Sequence, residues 1–150
     1  MFSKITQTDN AASASVIRLM VGLVFLSEGI QKFLFPDALG IGRFVKIGIP
    51  YPEFTAPFVG VVEMIGGLFI IMGLLTRLAA IALAITISVA IISTKIPMLA
   101  DKGLWAMAHE ARVDFCMLLG NIFLIIKGGG AWSIDLKIFH RLKRSNHSNL

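Results

Sequence analysis

Residues Pro57 to Leu75 read PFVGVVEMIGGLFIIMGLL, apolar from end to end apart from one carboxylate, Glu63. As a helix rising 1.5 Å per residue, the stretch is about 28 Å long, close to the ~30 Å hydrocarbon core of a bilayer. Three further runs have comparable length: about 14–35, 78–94 and 106–126. The whole chain, 150 residues long, is 56% hydrophobic and only 15% charged, far to the apolar side of soluble domains, where about a quarter is charged. The reading is an all-α integral membrane protein, a single antiparallel four-helix bundle over residues 1–150.

The ends of the spans follow from local chemistry. Pro36 stops the first, because proline has no N–H to continue the hydrogen-bond ladder, and Pro57 suits a first helical turn. Only Thr76 and Arg77 separate the second span from the third, which requires a tight reversal. The polar start from Met1 to Ser15 is a weak leader start, and the apolar run after it continues past Glu28 to Phe35 without an A-x-A cleavage pattern, so it is read as a retained span.

Lys and Arg counts set the expected orientation. One side holds Lys4, Arg18, Arg77, Lys127, Lys137, Arg141, Lys143 and Arg144; the other holds Lys32, Arg43, Lys46, Lys95, Lys102 and Arg112. The excess on the first side, with an even number of crossings, places both termini in the cytoplasm of a bacterial inner membrane. Arg18, Arg77, Trp105 and Trp132 are candidate lipid anchors. Ser133 caps a basic amphipathic tail over 133–150, whose Lys137, Arg141, Lys143 and Arg144 suit anionic headgroups. The net charge of +5 would also suit nucleic acid, but the bases flank a span, which argues against it. The outward loop, 37–56, reads as an interfacial segment or a lid, and 95–105 as a second such loop.

Charge inside the spans carries the functional expectation. Glu28 and Lys32 interrupt the first, Glu63 the second, and Glu110, Arg112 and Asp114 open the fourth. Each costs roughly 2.5–3.5 kcal/mol in a helix centre on insertion scales, so they must face one another or water. Counted from the outer ends of the spans, Glu28, Glu63 and Asp114 lie at depths of about 10, 9 and 12 Å. Glu110, Asp114 and Asn121 form one stripe on the fourth helix, and His109 lies beside it. The candidate ligand or proton-relay residues are therefore Glu28, Lys32, Glu63, His109, Glu110, Arg112, Asp114 and Asn121. A register-fixing ion-pair network is the plainer alternative. Cys116 is the lone cysteine, so dithiol chemistry is excluded; no metal signature, haem ligand pair, Walker loop or dinucleotide fingerprint is present.

The order of Arg18, Gly22, Phe25, Gly29, Lys32 and Pro36, then Gly60, Glu63, Gly66, Gly67, Gly73, Thr76 and Arg77, then Gly128 to Gly130, Trp132, Ser133 and Asp135 resembles the DoxX family of small bacterial membrane proteins. The resemblance implies a four-helix inner-membrane protein. Relatives include the membrane subunit of a thiosulfate:quinone oxidoreductase and a partner of a redox stress complex, although most members have no established activity. The expectation is a membrane subunit or partner of a redox system, with a polar intramembrane pocket for a quinone-like or other apolar ligand. A small proton-coupled carrier and a structural assembly partner stand as alternatives. No cofactor is evident beyond a quinone, and whether the chain is an enzyme stays open. The expected partners are membrane lipids, a redox protein and, through its glycine-rich faces, a second copy of the chain.

Overall fold

The computed structural model describes residues 12–147, with side chains as far as Arg144; Lys4 and the last three residues of the basic tail lie outside them. The described residues form helices and turns without strands. The helices are α1 (Ala12–Leu34), α2 (Ile41–Lys46), α3 (Pro52–Met72), α4 (Thr76–Lys102), α5 (Leu104–Lys127) and α6 (Ile134–His147). By length and composition α1, α3 and α4 could each cross a membrane. α5 is as long as α1 but carries Glu110, Arg112 and Asp114.

Two helix pairs dominate the packing, α1 on α3 and α4 on α5; α3 against α4 and α1 against α5 join them less extensively. Glycine makes the first pair close. A Cβ on Gly67 would sit 2.7 Å from the Leu26 amide nitrogen and 2.8 Å from the Gly22 carbonyl oxygen, and one on Gly29 would sit 2.7 Å from the Gly60 oxygen. Van der Waals packing of this kind holds helices together where lipid gives no hydrophobic drive between them. Those glycines are thus consumed within the chain. Where the two pairs meet, Val21, Phe25, Ile70, Ala80, Leu83, Met117 and Leu124 form the core, and most other large apolar side chains face outward, as a lipid-bathed molecule requires.

Several boundaries differ from the sequence reading. α3 begins at Pro52, which takes the first-turn position, and Pro57 lies inside the helix. Pro52 sits where amide donors have no intrahelical acceptor, whereas Pro57 lies past the first turn and, having no N–H, leaves the Glu53 carbonyl without its helical donor. α4 runs past Thr94 to Lys102, with Pro97 inside it, so 95–102 is helix rather than loop. The reading ended that span at the charge of Lys95, but an ion pair neutralises this lysine and the helix continues. The 37–56 segment holds the short α2 with Phe44 buried, while Tyr51 and Phe54 are exposed.

Candidate functional site

Lys32 and Glu63 meet between α1 and α3. Lys32 Nζ donates to Glu63 Oε2 at 2.6 Å, and the two side chains retain only 12% and 9% of their exposure. Glycine creates the approach that permits this: Gly29 and Gly60 bring the two backbones together one turn away. Glu28, one turn before Lys32 on α1, approaches the same ammonium at 4.0 Å but is half exposed. The ammonium therefore bridges a buried carboxylate and an outward-facing one. Such a group can offer a hydrogen bond to a carbonyl oxygen or pass a proton between the two acids.

Asp114 does not join this cluster. It pairs with Lys95 at 3.2 Å, across α4 and α5. The continuation of α4 beyond Thr94 supplies that cation, which the sequence reading had placed in a loop. The carboxylates therefore divide between the two helix pairs instead of converging at one point. Along the α5 stripe, Asn121 is buried and donates to the Met117 carbonyl at 3.0 Å, while Glu110 and His109 are exposed. Arg112, also exposed, donates to the His109 carbonyl at 2.6 Å. Cys116 is exposed as well. No group of three or more metal-ligating side chains occurs among the described residues.

Arg18 requires a larger correction. Expected as a lipid anchor, it is instead only 5% exposed. Its guanidinium donates to the carbonyls of Ile70 (2.9 Å), Ile71 (2.8 Å), Gly129 (2.8 Å) and Ala131 (3.1 Å). The last carbonyls of a helix have no partner within it, and five donors in a fixed fork answer them at once. Gly73, at φ +67°, ends α3 with bonds back to Ile70 and Phe69, the left-handed cap that glycine favours. A Cβ there would lie 2.8 Å from Arg18 Cζ.

Asp135 completes this latch, and sequence reasoning noticed it only as part of the family pattern. Buried at 1% exposure, it accepts from the amides of Leu75 (2.8 Å) and Thr76 (2.9 Å), and its own amide donates to the Gly73 carbonyl at 2.9 Å. It thereby caps α4 from the far end of the chain and holds the left-handed backbone of Leu75. Ser15 donates to the Ala131 carbonyl at 2.7 Å, and Ser133 accepts from Leu136 as the cap of α6. The available signal was Ser133 and Asp135 directly after Gly128 to Gly130. Arg77 ties α4 to the end of α5 through the Ile126 carbonyl, at 3.1 Å. Trp105 and Trp132 are 85% and 80% exposed, and Lys137, Arg141, Lys143 and Arg144 are exposed. One shallow, open depression lies against His140, Arg141, Lys143 and Arg144, away from Lys32 and Glu63.

The chain was compared with known proteins. The DoxX family model matches residues 13–96. Over 144 residues, covering 92% of this chain and 88% of the relative, it is 49% identical to "Uncharacterized membrane protein Rv3486" of Mycobacterium tuberculosis. It is 30% identical over 133 residues to "Putative oxidoreductase CatD" of Bacillus subtilis, covering 89% of this chain and 92% of that one. An uncharacterized protein of Haemophilus influenzae is 28% identical over 128 residues, covering 83% and 90%. No solved structure gives a significant match. The matched segment contains both residues of the buried ion pair, Lys32 and Glu63, and also Arg18 of the latch, and with these agreements the chain belongs to the DoxX family of membrane proteins.

Proposed function

We propose that this chain is a membrane subunit or partner of a redox system, and that the Glu28, Lys32 and Glu63 cluster holds a quinone-like or other apolar carbonyl ligand. One observation carries the reading: a lysine inside a span is paired at 2.6 Å with a buried glutamate, while a second glutamate beside it faces outward. Placing two charges within a span is costly when small apolar residues would pack the same helices. A ligand approaching laterally from the lipid would meet Glu28 first and then the Lys32 ammonium, which suits a molecule carried in the bilayer. No closed cavity is required. The name of the Bacillus relative supports a redox setting.

In this reading the protein is a multi-pass, four-crossing bundle of the inner membrane. The order of contacts supports an antiparallel arrangement, since Gly22 meets Gly67 while the later Gly29 meets the earlier Gly60. α5 makes the fourth crossing; the Lys95 partner of Asp114 lowers the cost of its acidic start. An even number of crossings with the basic α6 at the end favours cytoplasmic termini.

The deciding experiment measures binding of a quinone analogue to the purified chain in nanodiscs. Wild type should bind, Glu63→Gln and Lys32→Met should each lose at least tenfold in affinity, and Lys95→Met with Asp114→Leu should keep it. Equal affinity in all four would remove the ligand reading and leave the structural one. That second reading has its own support, because Glu63 already has a complete partner in Lys32.

A further inference from the structure

The first turn of α6 is fixed to the ends of two candidate spans. Asp135 is bound to the amides of Leu75 and Thr76, in the turn between α3 and α4, and Ser133 is buried against the same turn. A helix pinned where spans end lies at headgroup level. Its other residues divide cleanly. At 100° per residue, Ile134, Ile138, Phe139 and Leu142 occupy an arc of about 140°, and Lys137, Arg141, Lys143 and Arg144 fall on the remainder, with Leu136 the only apolar residue among them. Asp135 is the sole acid of the helix, and its carboxylate is already engaged by the two amides. All four cations are exposed. Three of them, with His140, border a shallow, open depression on the helix surface.

We propose that α6 is a binding surface for the anionic phospholipid headgroups of the adjoining leaflet. Leu142 and the exposed edges of Ile138 and Phe139 enter the acyl boundary, and the cations take the phosphates. Trp132, 80% exposed just before the helix, adds an interfacial ring at the same level. A soluble acidic partner would use the cations but leave Leu142 and the half-buried Ile138 and Phe139 without further cover; a bilayer surface takes both faces. Because the Asp135 bonds fix the start of α6 at the α3–α4 turn, headgroup binding also holds that turn in place. The inference does not depend on a ligand at Glu63.

The test uses the full chain carrying Cys116→Ser and Leu142→Cys, in phosphatidylcholine nanodiscs with or without phosphatidylglycerol, and follows labelling by a water-soluble maleimide. Each surface cation strengthens attraction to an anionic bilayer about fivefold. Labelling should therefore slow roughly tenfold or more in the anionic discs. The slowing should vanish in the K137Q/R141Q/K143Q/R144Q chain and in high salt, where charges are screened within a few ångströms. Equal rates in both discs would overturn the proposal, as would slowing that survives in the four-fold variant. Equal protection in neutral discs by inorganic phosphate, or by an acidic peptide, would overturn it too. Quenching of Trp132 by brominated lipid, in a Trp105→Phe chain with native Leu142, gives an independent reading that should show the same lipid dependence.

Discussion

Replacing Arg18 by methionine keeps most of the side-chain volume and removes the guanidinium. The Ile71 and Gly129 carbonyls then lose their side-chain donor, while Ile70 keeps the Gly73 amide and Ala131 keeps the Ser15 hydroxyl. Gly129 is a buried residue, and a buried polar group left without a partner costs about 1–3 kcal/mol. The Ile71 carbonyl sits at a helix end, where its bond is only partly buried, and can recover part of its loss through water. Removing a buried charge returns some desolvation cost. The net expectation is a loss of about 2 kcal/mol, roughly thirtyfold in the folding constant. Reversible unfolding in mixed micelles, followed by Trp132 fluorescence in a Trp105→Phe background, measures it. Arg18→Lys should recover only part, since one ammonium cannot span four acceptors. A loss below about 1 kcal/mol would refute the latch and return Arg18 to the role of a lipid anchor.

Three further perturbations address the rest of the structure. Glu63→Leu alone should destabilise by about 3–5 kcal/mol, moderated by Glu28, because it strands the Lys32 ammonium; adding Lys32→Met should recover most of that, and a double-mutant cycle showing no coupling would contradict the pairing. Gly67→Ala, which drives a Cβ to 2.7 Å from the Leu26 amide and 2.8 Å from the Gly22 carbonyl, should cost at least about 1–3 kcal/mol in the same unfolding assay; an unchanged midpoint would show that α1 and α3 are further apart. Asp135→Ala should speed hydrogen exchange at the Leu75 and Thr76 amides and cost about 1–2 kcal/mol, as loss of a helix cap does; unchanged exchange there would exclude the capping role.

Three long apolar helices were legible because hydrophobic length is a strong signal: α1, α3 and α4 recur, displaced at their ends, and the fourth stretch recurs as the long helix α5 with its charges at Glu110, Arg112 and Asp114. What the sequence could not show was partnership. Lys95 reads as the end of a span until Asp114 on another helix neutralises it, and Asp114 reads as a companion of Glu63 until Lys95 is beside it. Both errors have one cause, since a charge pair links residues far apart in the chain and hydropathy treats each alone. Arg18 was misplaced similarly: proximity to a span end suggested headgroups, whereas its acceptors are carbonyls released by the ends of other elements. The Lys32 and Glu63 pairing was more accessible, because charges inside two spans must face one another or water.

The central claim, that the Glu28, Lys32 and Glu63 cluster receives an apolar carbonyl ligand from the lipid, is tested most directly by photo-crosslinking. A membrane-soluble quinone carrying a photoreactive group would be added to the chain in nanodiscs, and the labelled peptides sequenced. The account predicts labels concentrated on α1 and α3 around Glu28, Lys32 and Glu63, competed away by unlabelled quinone and lost in Glu63→Gln. Labels scattered over every lipid-facing helix, or gathered on α4 and α5 around Lys95 and Asp114, would contradict it.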